Sequence, residues 1–537
     1  MSHEPVNRKI EIYDTTLRDG TQAENFNLSV EDKIRITLRL DEFGVDFIEG
    51  GWPGANPASS EFFAEIRRYE LKNSLVMAFG STRFFRNPPE EDANLAALVA
   101  AEPDGVTIFG KSWDIHVTEA LRIGLDDNLQ IIEDSLAFLK SRVGRLFYDA
   151  EHFFDGYKAN PDYALETLAR AVAGGAERLV LCDTNGGTLP HEIRGIIRAV
   201  QEFFAGRGGE PGLGIHAHND SDTAVANSLI AVDQGVVQVQ GTINGYGERC
   251  GNANLTSIIP ALAMKMGRDL AMSERLHTLT AVSRFVSELA NLVPNRYQPF
   301  VGNAAFAHKG GIHVSAVKRN PLTYEHIEPE KVGNQRRILI SDQAGKSNIL
   351  HKARKFGIEI DPDDPALAAI LKDLKEMEKE GFQFEGAEAS FELLMRRAVG
   401  GGKRYFDLHG FRVISQKDEG AVPPLDEATI RIAVGGETFH TAALGEGPVN
   451  ALDNALRKAL VHSYPGLSVV RLDDYKVRVL ASDHGTGARV RVLIASSDNN
   501  SSWSTVGVSH DIIEASWQAL VDSITYKLMK DDQLVKG

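Results

Sequence analysis

The first half of the chain repeats one unit: a short run rich in β-branched and aromatic residues, a polar turn, then a stretch with helical spacing. Eight such runs lie at Ile10–Leu17, Asp46–Trp52, Leu75–Phe79, Gly105–Gly110, Arg145–His152, Arg178–Gly186, Gly214–Asp220 and Val236–Gly245. They recur roughly every 20 to 40 residues, the period of a strand–helix unit. Near-continuous apolar runs suit parallel strands covered by helices. Between them, Ser29 is placed to cap VEDKIRITLRLDEFG, where Ile34, Leu38 and Phe43 fall near one face and Gly44 ends the run. NPPEEDANLAALVAAEP reads as another helix, with prolines near both ends. Eight alternations in about 270 residues predict an α/β fold, a (β/α)8 TIM barrel, over residues 1–275. An open doubly wound sheet is the alternative. It would place a glycine-rich phosphate loop after the first strand, and DTTLRDGTQ is not one.

From 276 to 398 the pattern turns mostly helical, with charged stretches such as LKDLKEMEKEGFQFEG, and predicts helical linker subdomains. VGGGKRYF (Val399–Phe406) reads as a linker. Beyond it the period drops to two. ATIRIAV and ETFHTAAL flank Gly435–Gly436, a hairpin signal. The helix-like NALDNALRKALVHS follows, then YKVRVLAS and ARVRVLIAS as alternating strands, then the amphipathic HDIIEASWQALVDSITYKLMK. Residues 403–532 thus form a C-terminal α+β domain without an obvious catalytic constellation.

Composition narrows the function. Among 537 residues, 43% are hydrophobic and 25% charged, which excludes a largely disordered chain. With 58 Lys+Arg against 74 Asp+Glu the net charge is −16, unsuited to a general binder of nucleic-acid backbones. A local basic pocket for one phosphorylated ligand stays compatible with it. Two cysteines, Cys182 and Cys250, cannot build a disulfide framework or a four-cysteine metal site. The opening MSHEPVNRKI lacks the apolar core of a signal peptide, and no run approaches the roughly 18 apolar residues of a membrane span. The expectation is a reduced, cytoplasmic protein with no membrane partner.

In a parallel barrel the active site gathers where the strands run out at their C-terminal ends. Those ends carry Arg18, Asp19, Glu49, Glu151, His152, Asp183, Thr184, His216, His218 and Asp220, and GERCGN follows the eighth. His216 and His218 are two apart, so their side chains leave the same face of a strand. Two imidazoles and a carboxylate suit a divalent metal such as Mn, Zn, Fe or Co. Asp19 is the natural carboxylate, because the first strand of a closed barrel neighbours the eighth and lies near the seventh. Two structural histidines are the plainer alternative. Arg18, beside a cation in a cleft, would hold a carboxylate or a developing alkoxide rather than a surface salt bridge. Glu151 reads as a general base, a hydroxyl ligand or a rim ion pair, and Thr184 as a carboxylate ligand or a turn cap. Two apparent nucleotide motifs fail: NGYGERCGN has Cys250 where a third glycine is needed, and AGKS (Ala344–Ser347) has Ile340 in place of the P-loop glycine.

Taken together, YDTTLRDGTQ, HAHND and NGYGERCGNANL resemble the isopropylmalate synthase/homocitrate synthase family, a group of metal-dependent barrel acyltransferases. FAHKGGIHVSA (Phe306–Ala316) extends the resemblance, and GGWPGANP and YDAEHFFDGY are most similar to its citramalate-forming branch. The resemblance implies a Claisen-type condensation of acetyl-CoA with a 2-oxo acid, then thioester hydrolysis. It implies a divalent metal (Mn, Mg, Zn or Co) on Asp19, His216, His218 and Asn252. Arg18 then polarises the keto oxygen, Glu151 acts at the reacting centre and Thr184 binds the keto-acid carboxylate. His313 and Tyr324 match residues that reach a partner subunit's site, implying a homodimer. The C-terminal domain matches one that binds a feedback amino acid, here isoleucine. Thr21 and Ala217 depart from the commonest motif, where Glu and Cys are frequent; neither is an expected ligand. The base for the acetyl proton stays open between Glu151, His313 and water. Pyruvate is the expected 2-oxo acid, within isoleucine biosynthesis. The rivals are a 2-isopropylmalate synthase using 2-oxoisovalerate, a hydroxymethylglutaryl-CoA-lyase-like carbon–carbon lyase, and a non-enzymatic amino-acid-binding module on an inactive barrel.

Overall fold

The computed structural model describes residues 9–339, 346–417, 425–480 and 488–536. Eight parallel strands close into a barrel in chain order. They are β1 (Glu11–Asp14), β2 (Phe47–Gly51), β3 (Leu75–Ser81), β4 (Gly105–Lys111), β5 (Arg145–Glu151), β6 (Arg178–Asp183), β7 (Gly212–Ala217) and β8 (Gln238–Gly241). The seam pairs Glu11 with Gln238 and Asp14 with Gly241. β1, β6 and β8 are shorter than the apolar runs that announced them. Thr15–Leu17, Thr184–Gly186 and Thr242–Gly245 leave the ladder and turn onto the rim.

The helices follow their capping chemistry. Ser29 Oγ accepts the Asp32 N–H at 3.1 Å while the Asp32 carboxylate accepts the Ser29 N–H, a reciprocal cap that starts the helix Val30–Phe43. Gly44, at φ 100°, ends it. The stretch NPPEEDANLAALVAAEP becomes helical only at Ala93. Asp92 accepts the N–H groups of Asn94 and Leu95 there, while Pro88 and Pro89 stay in the preceding turn and Pro103 lies beyond the helix end.

Alternation along the strands sorts the barrel into layers. Outward positions such as Ile12, Ile48, Val106, Leu146, Leu181, Ile215 and Val239 are buried under the helices. Inward positions stack along the axis. At the N-terminal end the Glu11 carboxylate accepts two bonds from Arg178, at 3.0 and 2.9 Å, and one from Gln238 at 3.2 Å. Above it Tyr13, Phe47, Met77 and Phe147 fill the middle, with Phe147 edge-on to Phe47 at 5.1 Å. Above that the inward residues turn polar: Glu49, Asp149, His216 and Gln240. An apolar plug thus forms the floor under a polar mouth.

The chain divides into two compact units, Met1–Phe306 with Ile327–Arg336, and Ala307–His326 with Arg337–Gly537. The second unit has a short parallel pair, β9 (Ala307–His308) and β10 (Arg337–Ile338). The helices Gly311–Arg319, Lys346–Lys355, Pro365–Glu380 and Glu388–Ala398 follow. Two antiparallel three-stranded sheets complete it. One is β11 (Asp407–Gln416), β12 (Leu425–Val434) and β13 (Glu437–Gly445); the other is β14 (Arg471–Leu480), β15 (Arg489–Ser497) and β16 (Ser502–Ser509). Gly435 and Gly436, at φ 59° and 89°, supply the two positive-φ positions of a β12–β13 turn that matches the right-handed twist of its strands. The helices Pro448–Leu460 and Ile512–Lys536 carry Leu452, Leu456, Trp517 and Ile524 into the same core as Ile430 and Ile432. β11 and β16 were not legible in the sequence: β11 is an edge strand exposed along most of its length, and β16 is rich in serine. Ala344 and Gly345 of AGKS, and Ala481 and Ser482 of YKVRVLAS, lie outside the described residues. Among the described residues no helix is long and apolar enough to cross a membrane.

The middle layer makes a stability prediction. Phe147→Ala empties a fully buried position and is expected to cost about 3–5 kcal/mol, read as a lower urea midpoint of the barrel transition. An unchanged midpoint would mean that this layer does not support the barrel.

Candidate metal and active site

Asp19 lies in the turn after β1, His216 on β7 and His218 just beyond it. Barrel closure brings the three together. Asp19 Oδ2 is 3.3 Å from His216 Nε2 and 4.0 Å from His218 Nε2, and the two Nε2 atoms are 3.3 Å apart. All three residues are buried. Asn252 joins them through an isolated backbone bridge with His218. Its Nδ2 donates to the Tyr246 carbonyl at 3.3 Å, and its Oδ1 has no hydrogen-bond partner among the described residues. Asp19 Oδ1 is likewise buried without one. Unpaired oxygens beside two converging imidazole nitrogens fit a divalent cation, because buried acceptors otherwise lose their solvation uncompensated.

The surroundings tune these ligands. The Gln240 amide donates to Asp149 Oδ1 at 3.1 Å, so its oxygen accepts from His216 Nδ1 at 2.9 Å and leaves Nε2 turned toward Asp19 and His218 as the candidate ligand atom. Burial and the neighbouring His216 push His218 down to about 3, which keeps it neutral. Burial would raise the Asp19 carboxyl, but the Arg18 guanidinium and the imidazoles hold it well below the usual carboxylate range. Burial pushes Asp149 up to about 7 against the pull of His216.

Arg18 is locked in place. Its Nε donates to Glu49 Oε1 at 2.5 Å, its Nη1 lies 3.5 Å from Asp19 Oδ2, and its guanidinium sits over the Phe79 ring at 3.7 Å. Glu49 is fixed in turn by the Tyr13 hydroxyl at 3.0 Å. Phe79 stacks on Phe109 at 5.4 Å, and Trp52 stands edge-on to both. Glu151, at the end of β5, pairs with Lys111 at the end of β4. Thr184 Oγ1 accepts the His152 N–H at 2.9 Å. His313 and Tyr324 belong to the second unit, where their exposed rings stack at 4.2 Å. The structure therefore brings Arg18, Asp19, His216, His218 and Asn252 together, with Glu151 and Thr184 on the same rim.

Reading the sequence missed Gln240, Asp149, Lys111 and the aromatic wall, and gave Glu49 no role. Counting two residues back from the ends of β5 and β3, Glu151 and Ser81, would have found Asp149 and Phe79. The glycines that imitate a nucleotide loop also have a local cause. At φ 155° and 90°, Gly247 and Gly251 hold a turn in which a Cβ would collide with the Asn252 amide or the Gly245 carbonyl.

Gln240→Leu removes the acceptor that sets the His216 tautomer. It is expected to weaken divalent-metal binding about 10–100-fold in a competition titration with a chromophoric chelator. Wild-type affinity in that variant would reject this orienting role.

The chain matches the HMGL-like family model over residues 9–286. It matches the homocitrate synthase post-HMGL domain-like model over 300–381, and the LeuA allosteric (dimerisation) domain over 385–528. It is 59% identical to an (R)-citramalate synthase of Geobacter sulfurreducens, covering 98% of each chain. It is 55% identical to one of Aquifex aeolicus, covering 98% of this chain and 99% of that one. A 2-isopropylmalate synthase of Shewanella frigidimarina is more distant, at 30% identity over 96% of this chain and 95% of that one. On this near full-length identity, the chain belongs to the citramalate synthases of the isopropylmalate synthase/homocitrate synthase family.

Proposed function

We propose that this chain is an acyltransferase that condenses acetyl-CoA with pyruvate and hydrolyses the thioester, releasing (R)-citramalate and free CoA for isoleucine biosynthesis. One observation carries the reading: identities of 44–59% to (R)-citramalate synthases that run the length of the chain. In the reaction a carbon–carbon bond forms between the acetyl methyl and the ketone carbon. The methyl loses a proton, the ketone oxygen gains one, and water displaces CoA as the thiol.

Asp19, His216, His218 and Asn252 would hold a divalent cation, which would supply Lewis-acid polarisation of the ketone. Arg18, pre-oriented by Glu49, stabilises the negative charge that develops on the ketone oxygen. The Thr184 hydroxyl donates to the pyruvate carboxylate. Glu151 works at the acetyl end, with Lys111 holding its carboxylate in place. The base that takes the methyl proton is Glu151, His313 or a bound water. The exposure of His313 and Tyr324 supports their reaching a partner's site in a homodimer, as does the match of residues 385–528 to a dimerisation domain. Phe79 lies under the Arg18 guanidinium and packs with Trp52 and Phe109, and this aromatic wall is the element that would select pyruvate over the branched 2-oxoisovalerate. We place the protein in the cytoplasm, with the metal being Mn, Mg, Zn or Co and isoleucine as the ligand of residues 403–532.

Free-thiol release from acetyl-CoA tests the core reading. Release is expected to require added Mg or Mn and to prefer pyruvate strongly; a preference for 2-oxoisovalerate would assign a 2-isopropylmalate synthase instead. Phe79→Ala is expected to shift kcat/KM toward 2-oxoisovalerate by about 10–200-fold relative to pyruvate. An unshifted ratio would remove the ring from the specificity wall. Isoleucine, and not leucine, is expected to lower CoA release by the full chain; equal indifference to both would reject the effector assignment.

A further inference from the structure

Thr184 is gripped from two sides by residues in unusual backbone conformations. His152 leaves β5 at φ 55° and ψ 31°, and its N–H turns away from the strand ladder to meet Thr184 Oγ1 at 2.9 Å. Arg249, at φ 57°, donates from Nη2 to the Thr184 carbonyl at 2.7 Å. The same guanidinium grips the Asp220 carboxylate through Nε at 2.8 Å and Nη2 at 2.9 Å. A left-handed backbone is uncommon for a residue with a side chain, and it persists where the surroundings enforce it. Two such residues, from the loops after β5 and β8, converge on one threonine.

The chemistry of a hydroxyl gives this convergence a purpose. Thr184 Oγ1 has one proton and two lone pairs. The His152 N–H occupies an acceptor site, so the proton is left to donate elsewhere. Arg249 fixes the Thr184 backbone, and Asp220 fixes Arg249, tying together the loops that follow β6, β7 and β8. We infer that His152 and Arg249 are positioning residues that commit the Thr184 hydroxyl to donating toward the carboxylate of the 2-oxo acid. For His152 the working part is its left-handed backbone N–H, not its imidazole. The inference rests on the proposed role of Thr184 in binding that carboxylate.

Steady-state kinetics of the full-length, metal-loaded enzyme test it. His152→Val places a β-branched residue where a left-handed backbone is strongly disfavoured. It is expected to raise KM for pyruvate about tenfold or more, with KM for acetyl-CoA and metal content unchanged. His152→Gly and His152→Asn, which accept that backbone and keep the N–H, are expected to rescue KM to within about threefold of wild type. Arg249→Leu is expected to raise KM for pyruvate in the same way, and it stands as the test should His152→Val fail to fold. In a Thr184→Ala background, neither His152→Val nor Arg249→Leu should add a further loss, because both act through the missing hydroxyl.

Losses that add fully to that of Thr184→Ala would overturn the inference. So would a glycine variant as impaired as the valine variant, which would assign the role to the imidazole packed on His116. A wild-type enzyme that turns over only another 2-oxo acid would correct the substrate and carry the same comparison to it. A wild type inert with every 2-oxo acid would overturn both readings.

Discussion

The arrangement depends on burying ionised groups where they can compensate one another. Asp19, Arg18 and Glu49 lie largely buried in the barrel mouth, and an isolated charge there would be strongly destabilising. Each is matched: Glu49 to Arg18 and Tyr13, Arg18 to Asp19, and Asp19 to two imidazoles. The match requires that β1 close against β8, since Asp19 and His216 stand almost 200 residues apart in the chain. The seam of the barrel is therefore also the assembly step of the candidate metal site.

The layers beneath explain why such a mouth is tolerated. The plug of Tyr13, Phe47, Met77 and Phe147 supplies apolar burial under the polar residues. Tyr13 belongs to both layers: its ring fills the plug and its hydroxyl holds Glu49. Packing and electrostatics thus meet in one side chain. Around the rim, backbone geometry takes over from packing, with Gly247, Gly251, His152 and Arg249 all holding left-handed conformations beside the site.

Much of this was legible in the chain. Strand-like runs, each followed by helical spacing, announced the barrel, because a parallel strand buried on both faces must be apolar almost throughout. Ser29 and Gly44 marked a helix by capping chemistry that acts within a few residues. Arg18, Asp19, His216 and His218 stood out because the ends of strands in a closed barrel converge. Asn252, His313 and Tyr324 came only through family resemblance, since no local pattern singles out an asparagine in a loop or a histidine on a helix.

Other features were settled only in three dimensions. Gln240, Asp149 and Lys111 are ordinary polar residues until neighbouring strands align them with His216 and Glu151. The edge strand β11 has no alternation to read, because most of it faces solvent and its pairing comes from β12. Local sequence determined which segments are strands and helices and which residue types cluster at their ends, because capping, periodicity and alternation act over a few neighbours. Which nitrogen of His216 faces Asp19 and His218, and which carboxylate holds Arg18, were decided by contacts between distant segments that exist only once the barrel has closed.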